Sequence, residues 1–241
     1  VYALLADRHA AEYGTPPEAL AEVAVKNHRN GMKNPNAHFR KLITREQVLA
    51  AARVADPLGL FDCCPVSDGA AAILLARGCL ARKFTDTPVF VSGMGWASDA
   101  LAVQERPLTT GLAASRWATD RAFRHAPFDR RGLSFVEVHD CFTIAELLAL
   151  EDLGLVEPGG AAAFTLEGRS AMGGTLPVNP DGGLKSKGHP IGATGASQAY
   201  EVFQQLRGQA GERQVADAHR ALAHNVGGSG ASASVTLFEA G

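Results

Sequence analysis

His139 and Cys141 flank Asp140 where an apolar run, LSFVEVH (residues 133–139), hands over to an amphipathic one, TIAELLALEDLG (143–154). An imidazole and a thiol this close suit proton traffic with a substrate. The thiol acts as nucleophile or as acid/base according to its pKa. The competing reading makes Cys141 a small buried hydrophobe and gives His139 only a local hydrogen bond. His189 stands among glycines in GGLKSKGHPIGATGASQAYEVFQQL, directly before a helix whose first turn offers unpaired N–H groups. No GK[ST] is present, and a histidine is superfluous for cradling a phosphate, so a catalytic histidine is preferred to a surface residue in a tight turn. In HNVGGSGASASV, Asn225 precedes Gly227 and Gly228, whose backbone N–H groups no side chain shields from an oxyanion. Such turns are also commonly just turns. In FDCCPVSDGAAA, Cys63 and Cys64 are adjacent, a pattern more often packed than reactive. Zinc is the rival use of His139, Cys141 and His189, but an H-x-C pair with one distant histidine is not a recurrent ligand spacing. No metal is expected.

The elements that must hold these residues follow from periodicity. Residues 1–55 read mostly as helix, broken at Gly14, Pro16–Pro17 and around Asn34–Pro35, with a capping box at Thr44 and Gln47. DGAAAILLAR (68–77) reads as a buried strand, followed by a brief helix near GCLARKF. Beyond a break near Asp86 the pattern alternates: strand 88–95, helix 113–125, strand 133–139, helix 143–153, helix 194–206, and strands 220–226 and 232–240. This alternation predicts an α/β layered fold. His139 would then sit at the carboxyl end of a strand, where open α/β sheets place their ligand sites.

With 46% hydrophobic and 20% charged residues and a net charge of −2, the 241-residue chain has no electrostatic reason to meet nucleic acid or an anionic membrane. A small-molecule substrate is the default. The four cysteines form neither a disulfide framework nor a zinc ribbon, and no apolar stretch approaches a membrane span, so a cytoplasmic protein is expected. The chain starts at Val1 with no helix cap or initiating methionine, which is expected of part of a longer protein.

Taken together, HDCF (139–142), GHPIGATG (188–195), HNVGGSG (224–230), DCCPVSDGAAA (62–72) and VKNHRNGMKNPNAHFR (25–40) resemble the thiolase superfamily. The closer likeness is to the sterol-carrier-protein type of thiolase and its bacterial and archaeal relatives. The resemblance runs through the whole chain. It implies a layered α-β-α-β-α fold, with the remainder of a first half in 1–86 and a complete second half in 87–241. It also implies a homodimer or homotetramer. The activity implied is acyl-CoA C-acyl transfer: thiolysis of a 3-ketoacyl-CoA or the reverse Claisen condensation, with CoA thioesters as substrates and no cofactor. His189 would activate a nucleophilic cysteine and, with His139 or a water it holds, bind the thioester oxygen. Cys141 would be the acid/base at the substrate's α-carbon, and Gly228 would serve a second oxyanion hole. Asn225 stands where ordinary thiolases keep their acid/base cysteine. Cys64 and Ser67, with Asn225, are expected beside the substrate. No cysteine here matches the motif of the nucleophile, which family members carry ahead of the position of Val1. Two other activities stay open. One is a thiolase-fold lyase on acyl-CoA side chains, working with an OB-fold partner; the other is a non-catalytic CoA-binding subunit.

Overall fold

The computed structural model describes residues 1–106 and 110–241. The first segment is helical where its apolar spacing requires: α1 (Tyr2–Tyr13), α2 (Pro17–Gly31) and the short α3 (Arg45–Leu49). Pro17 opens α2 at a position whose N–H would have no helical partner. Thr44 and Gln47 form the expected capping box on α3, each side chain satisfying the other's backbone N–H. A ribbon of β1 (Arg53–Ala55) and β2 (Leu58–Gly59) follows.

Residues 68–77 do not form the buried strand that their small and aliphatic composition suggests. They carry no helix, strand or ladder pairing, and Leu74 and Leu75 are 96% and 77% exposed. A strand needs a neighbour to accept and donate its backbone hydrogen bonds, and no strand lies beside this one among the described residues. The helix expected next is a 3₁₀ turn over Gly78–Lys83.

The principal sheet gathers β3 (Val89–Ser98), β4 (Phe135–Glu137), β5 (Arg220–Gly227) and β6 (Ser232–Ala240) in the order β3-β6-β5-β4. Only the β4–β5 pair is parallel. The strand read over 133–139 is thus shorter than its apolar run. Between the strands lie α4 (Ala113–Phe123), α5 (Thr143–Asp152), α6 (Ala161–Leu166), α7 (Gly183–Ser186) and α8 (Thr194–Leu206). Alternation along β5 sorts its residues by face. Ala221 and Ala223 meet Val202 and Leu206 of α8, whereas Leu222 joins the larger core with Ala114, Ala118 and Ala122 of α4. That core continues through α5 to α1 and α2, so it runs without interruption across residue 86. Helix α4 approaches β3 so closely that a Cβ on Gly95 would lie 1.9 Å from the Ala118 carbonyl oxygen. Ile144, Leu147, Leu148 and Leu150 of α5 are all at most 1% exposed. Each contributes about 2 kcal/mol of apolar burial.

Candidate active site

Four segments meet at one end of the sheet around an open cleft of about 500 Å³. The turn from β4 into α5 supplies His139 and Cys141, the loop before α8 supplies His189, the end of β5 supplies Asn225 and Gly228, and the segment after β2 supplies Cys64. Tyr2, Phe142, Trp96 and Ile191 add apolar walls. Six of the seven residues singled out in the sequence therefore line one space. Ser67 does not. It lies behind the histidine loop, where its hydroxyl accepts the His189 backbone N–H at 3.3 Å and bonds His38 Nδ1 at 3.1 Å.

The loops are held by backbone and buried charge. The Cys64 N–H donates to the Cys141 carbonyl at 3.0 Å, and isolated bridges pair Cys63 with Phe142 and Val66 with His189. Residues 63–66 thus staple the two motif loops to each other. Lys185, fully buried, donates from Nζ to the Cys63 carbonyl. Asp140 accepts from the Leu184 N–H at 2.6 Å, the Lys185 N–H at 3.3 Å and Asn27 Nδ2 at 2.7 Å. Asn27 also donates to Glu146, which pairs with Lys26 at 3.0 Å, so α2, α5 and α7 all grip the turn that carries His139 and Cys141. Burial, aided by the nearby Glu146, pushes the Asp140 carboxyl up to about 7.

The two imidazoles stand edge to face, ring centroids 4.9 Å apart. His189 Nδ1 is 2.7 Å from Thr194 Oγ1, whose hydroxyl donates to the Pro190 carbonyl at 3.0 Å. A hydroxyl has one proton to give, so Nδ1 of His189 carries its own and Nε2 keeps the lone pair. His139 Nδ1 is 3.1 Å from Asn225 Oδ1. Burial lowers the basicity of both rings, that of His139 to about 4, and the neighbouring His189 adds to the effect. Burial pushes the Cys141 thiol up to about 12 and the Cys64 thiol up to about 11. Tyr2 stacks on Phe142 at 4.7 Å, and its hydroxyl adjoins Cys141. The cleft therefore holds two neutral imidazoles and two protonated thiols near neutral pH. At its rim Gly228 and Ser229 both take left-handed backbone angles, φ +55° and +53°. Arg106 donates to the Ser229 carbonyl at 2.8 Å. Among the described residues no group of three or more His, Cys, Asp or Glu side chains is placed to hold a metal ion. No described helix is long and apolar enough to cross a membrane.

Tyr2, Thr194, the 63–66 staple and the Lys26–Glu146 pair were not singled out in the sequence. Thr194 alone had a local signal there, five residues after His189 at the helix start.

Comparison with known proteins bears on the family and the fold. The family model for the thiolase N-terminal domain matches residues 1–78, and the one described as thiolase C-terminal domain-like matches residues 95–240. The acetyl-CoA acetyltransferase of Methanothermobacter thermautotrophicus is 49% identical over 99% of this chain and 62% of its own length. Sterol carrier protein 2 of Gallus gallus is 38% identical over the whole of this chain and 45% of its own length. The chain thus spans about half to three fifths of these relatives. Among solved structures, an Ltp2-ChsH2(DUF35) aldolase superposes with a TM-score of 0.87 at 24% identity, over 99% of this chain and 62% of that one. A monomeric SCP2-thiolase-like protein from Mycobacterium smegmatis superposes with a TM-score of 0.69 at 18% identity, over 99% and 51%. These two likenesses concern the fold. The family-model matches cover most of the sequence and the cleft joins the motifs of both regions, so the chain belongs to the thiolase family.

Proposed function

We propose that the protein is an acyl-CoA C-acyltransferase, cleaving a 3-ketoacyl-CoA with CoA or condensing two acyl-CoA units in reverse. The observation that carries this reading is the convergence of His139, Cys141 and His189 on one cleft, with the His189 Nε2 lone pair free and the Cys141 thiol protonated. Burial keeps the Cys64 and Cys141 thiols protonated, so each holds a proton that a strongly basic carbon could take and neither stands as a ready thiolate nucleophile. This reading puts the acyl-carrying cysteine in the part of the relatives' length that this chain does not span, since none of the four cysteines here stands in the motif expected of it.

In this reading His189 Nε2 takes the proton of that thiol, and Thr194 holds the resulting imidazolium through Nδ1–H. Its new Nε2–H then points at the thioester oxygen. His139, protonated on Nδ1 toward Asn225, presents an acceptor, so it suits a bound water that donates to the same oxygen better than direct donation. Cys141 gives its proton to the enolate carbon as the C–C bond breaks; in condensation it first gives that proton to the CoA sulfur leaving in the acyl-enzyme step, and the thiolate so formed then removes one from the α-carbon. Gly228, which lines the same cleft, fits a second oxyanion hole. CoA thioesters are substrates here, and no resident cofactor takes part.

A retro-aldol lyase is the second reading, favoured by one observation. The free imidazole lone pairs would also serve to remove a hydroxyl proton from a 3-hydroxyacyl chain. The aldolase among the structural neighbours is named as an assembly of two proteins, and an OB-fold partner belongs to this reading. A homodimer or homotetramer belongs to the first.

The test is intact mass and turnover of the protein in its full natural length, with acetyl-CoA and then with CoA plus 3-ketoacyl-CoA. An acetyl adduct should form in both wild type and Cys141→Ala, while thiolysis falls by at least about 10²-fold in the variant. Absence of an adduct, together with cleavage of a 3-hydroxyacyl-CoA, replaces the first reading with the second.

A further inference from the structure

We infer that Gln198 is a positioning residue, fixing the tautomer and ring orientation of His139 through Asn225. The argument starts from a group with no choice. Gln198 Nε2 lies 3.2 Å from the backbone carbonyl of His224, and a carbonyl only accepts. The Gln198 amide is thereby oriented, with Oε1 turned to Asn225, so Asn225 must present Nδ2 to it. That leaves Asn225 Oδ1 facing His139 Nδ1 at 3.1 Å. His139 therefore carries its proton on Nδ1 and its lone pair on Nε2. Each step follows from the donor count of the one before.

Three observations support a role beyond filling space. Gln198 is fully buried, with no bulk water to replace either bond. It lies one helical turn after Thr194, which orients His189, so one face of α8 sets the tautomers of both histidines. A Cβ on Gly195, between them, would lie 3.2 Å from Asn225 Nδ2, and the glycine leaves that amide its place. Without Gln198, Asn225 is free to rotate and offer Nδ2–H to His139 Nδ1, which moves the imidazole proton to Nε2 and removes the acceptor from the cleft.

The inference rests on the thiolase reading only for its kinetic consequence, and the experiment separates the two. The protein in its full natural length is labelled with ¹⁵N-histidine as wild type, Gln198→Met and Gln198→Glu, with His139→Gln to assign the signal. In the wild type the His139 Nδ1 should be protonated and Nε2 bare. Met should shift the proton toward Nε2. Glu, protonated at a buried site, offers one donor and one acceptor and should restore the wild-type pattern. In parallel, thiolysis kcat should fall about tenfold or more in the Met variant with KM nearly unchanged, and recover in the Glu variant. An unchanged His139 signal in a folded Met variant overturns the inference. A shifted tautomer with unchanged kcat upholds it and instead overturns the role of His139 in the proposed reaction. Should Gln198→Met not fold, Gly195→Ala perturbs the same amide from the helix side and should shift the signal in the same direction; no shift overturns the inference.

Discussion

His224 precedes Asn225 on β5 and points to the opposite face, where its Nε2 meets Ser115 Oγ at 2.9 Å and its Nδ1 has no partner among the described residues. Burial, with a smaller contribution from His139, pulls its pKa down from 6.5 to about 3. The unfolded chain therefore takes up a proton here between these values while the folded protein does not. Stability held by a neutral His224 is complete above pH 6.5 and is lost as pH falls toward about 3. The loss is on the order of a few kcal/mol. Asp140 and Asp152, both pushed up to about 7 by burial, contribute in the opposite sense: the folded protein protonates them first, and acidification favours it. The bulk pH dependence is thus a difference of opposed effects, so the prediction concerns one side chain. The stability advantage of wild type over His224→Gln, measured by urea unfolding, should shrink steadily below pH 6.5. A pH-independent difference would show that His224 does not remain neutral in the fold. Nothing in HNVGGSG distinguished His224 from Asn225, because strand alternation assigns faces only once the strand's neighbours are known.

Helix α8 was legible in its length and obscure in its purpose. Its observed bounds, Thr194–Leu206, are those its periodicity predicts, yet its buried face carries Thr194, Gln198, Glu201 and Gln205 beside Val202 and Leu206. Polar residues at this spacing look like a solvated stripe until their partners are placed. Glu201 accepts from Arg213 Nε at 2.8 and 2.9 Å, with both side chains at most 7% exposed, and Gln205 ties the same turn through the Arg213 carbonyl. Removing only the cation leaves a buried carboxylate uncompensated. Arg213→Met should therefore cost about 3 kcal/mol in urea unfolding, and adding Glu201→Gln should recover most of it. If the double variant is no more stable than the single one, lost packing rather than lost charge is the cause. The same contrast separates what the sequence disclosed of the site from what it did not. The histidine, cysteine and glycine motifs are local and announce themselves. The 63–66 staple, Tyr2 and the Lys26–Asn27–Glu146 set act across long sequence separations, and their residue types are ordinary ones in helices and loops.

Residues 68–77 bear on the behaviour of the whole molecule, because their composition suits a buried strand while no strand pairs with them among the described residues. Ile73, Leu74 and Leu75 are 40%, 96% and 77% exposed, and Val66 is fully exposed. Covering the three aliphatic side chains is worth about 5 kcal/mol, at the lower end of the cost of bringing two molecules together. Apolar burial alone would therefore give weak association at most. A segment without ladder partners adds backbone donors and acceptors, and β3 leaves one edge of the principal sheet unpaired among the described residues. Exposed Met94 and Trp96, two residues apart on β3, add apolar surface near that edge. The 241-residue chain studied alone should therefore sediment above its 25.2 kDa in a concentration-dependent way. Leu74→Lys should weaken the association by removing apolar surface. Leu74→Pro should weaken it further if strand pairing carries it, since proline cannot donate to a ladder. Equal effects of the two substitutions would assign the association to apolar contact alone, and monomeric sedimentation of the unmodified chain would show that this segment finds cover within its own molecule.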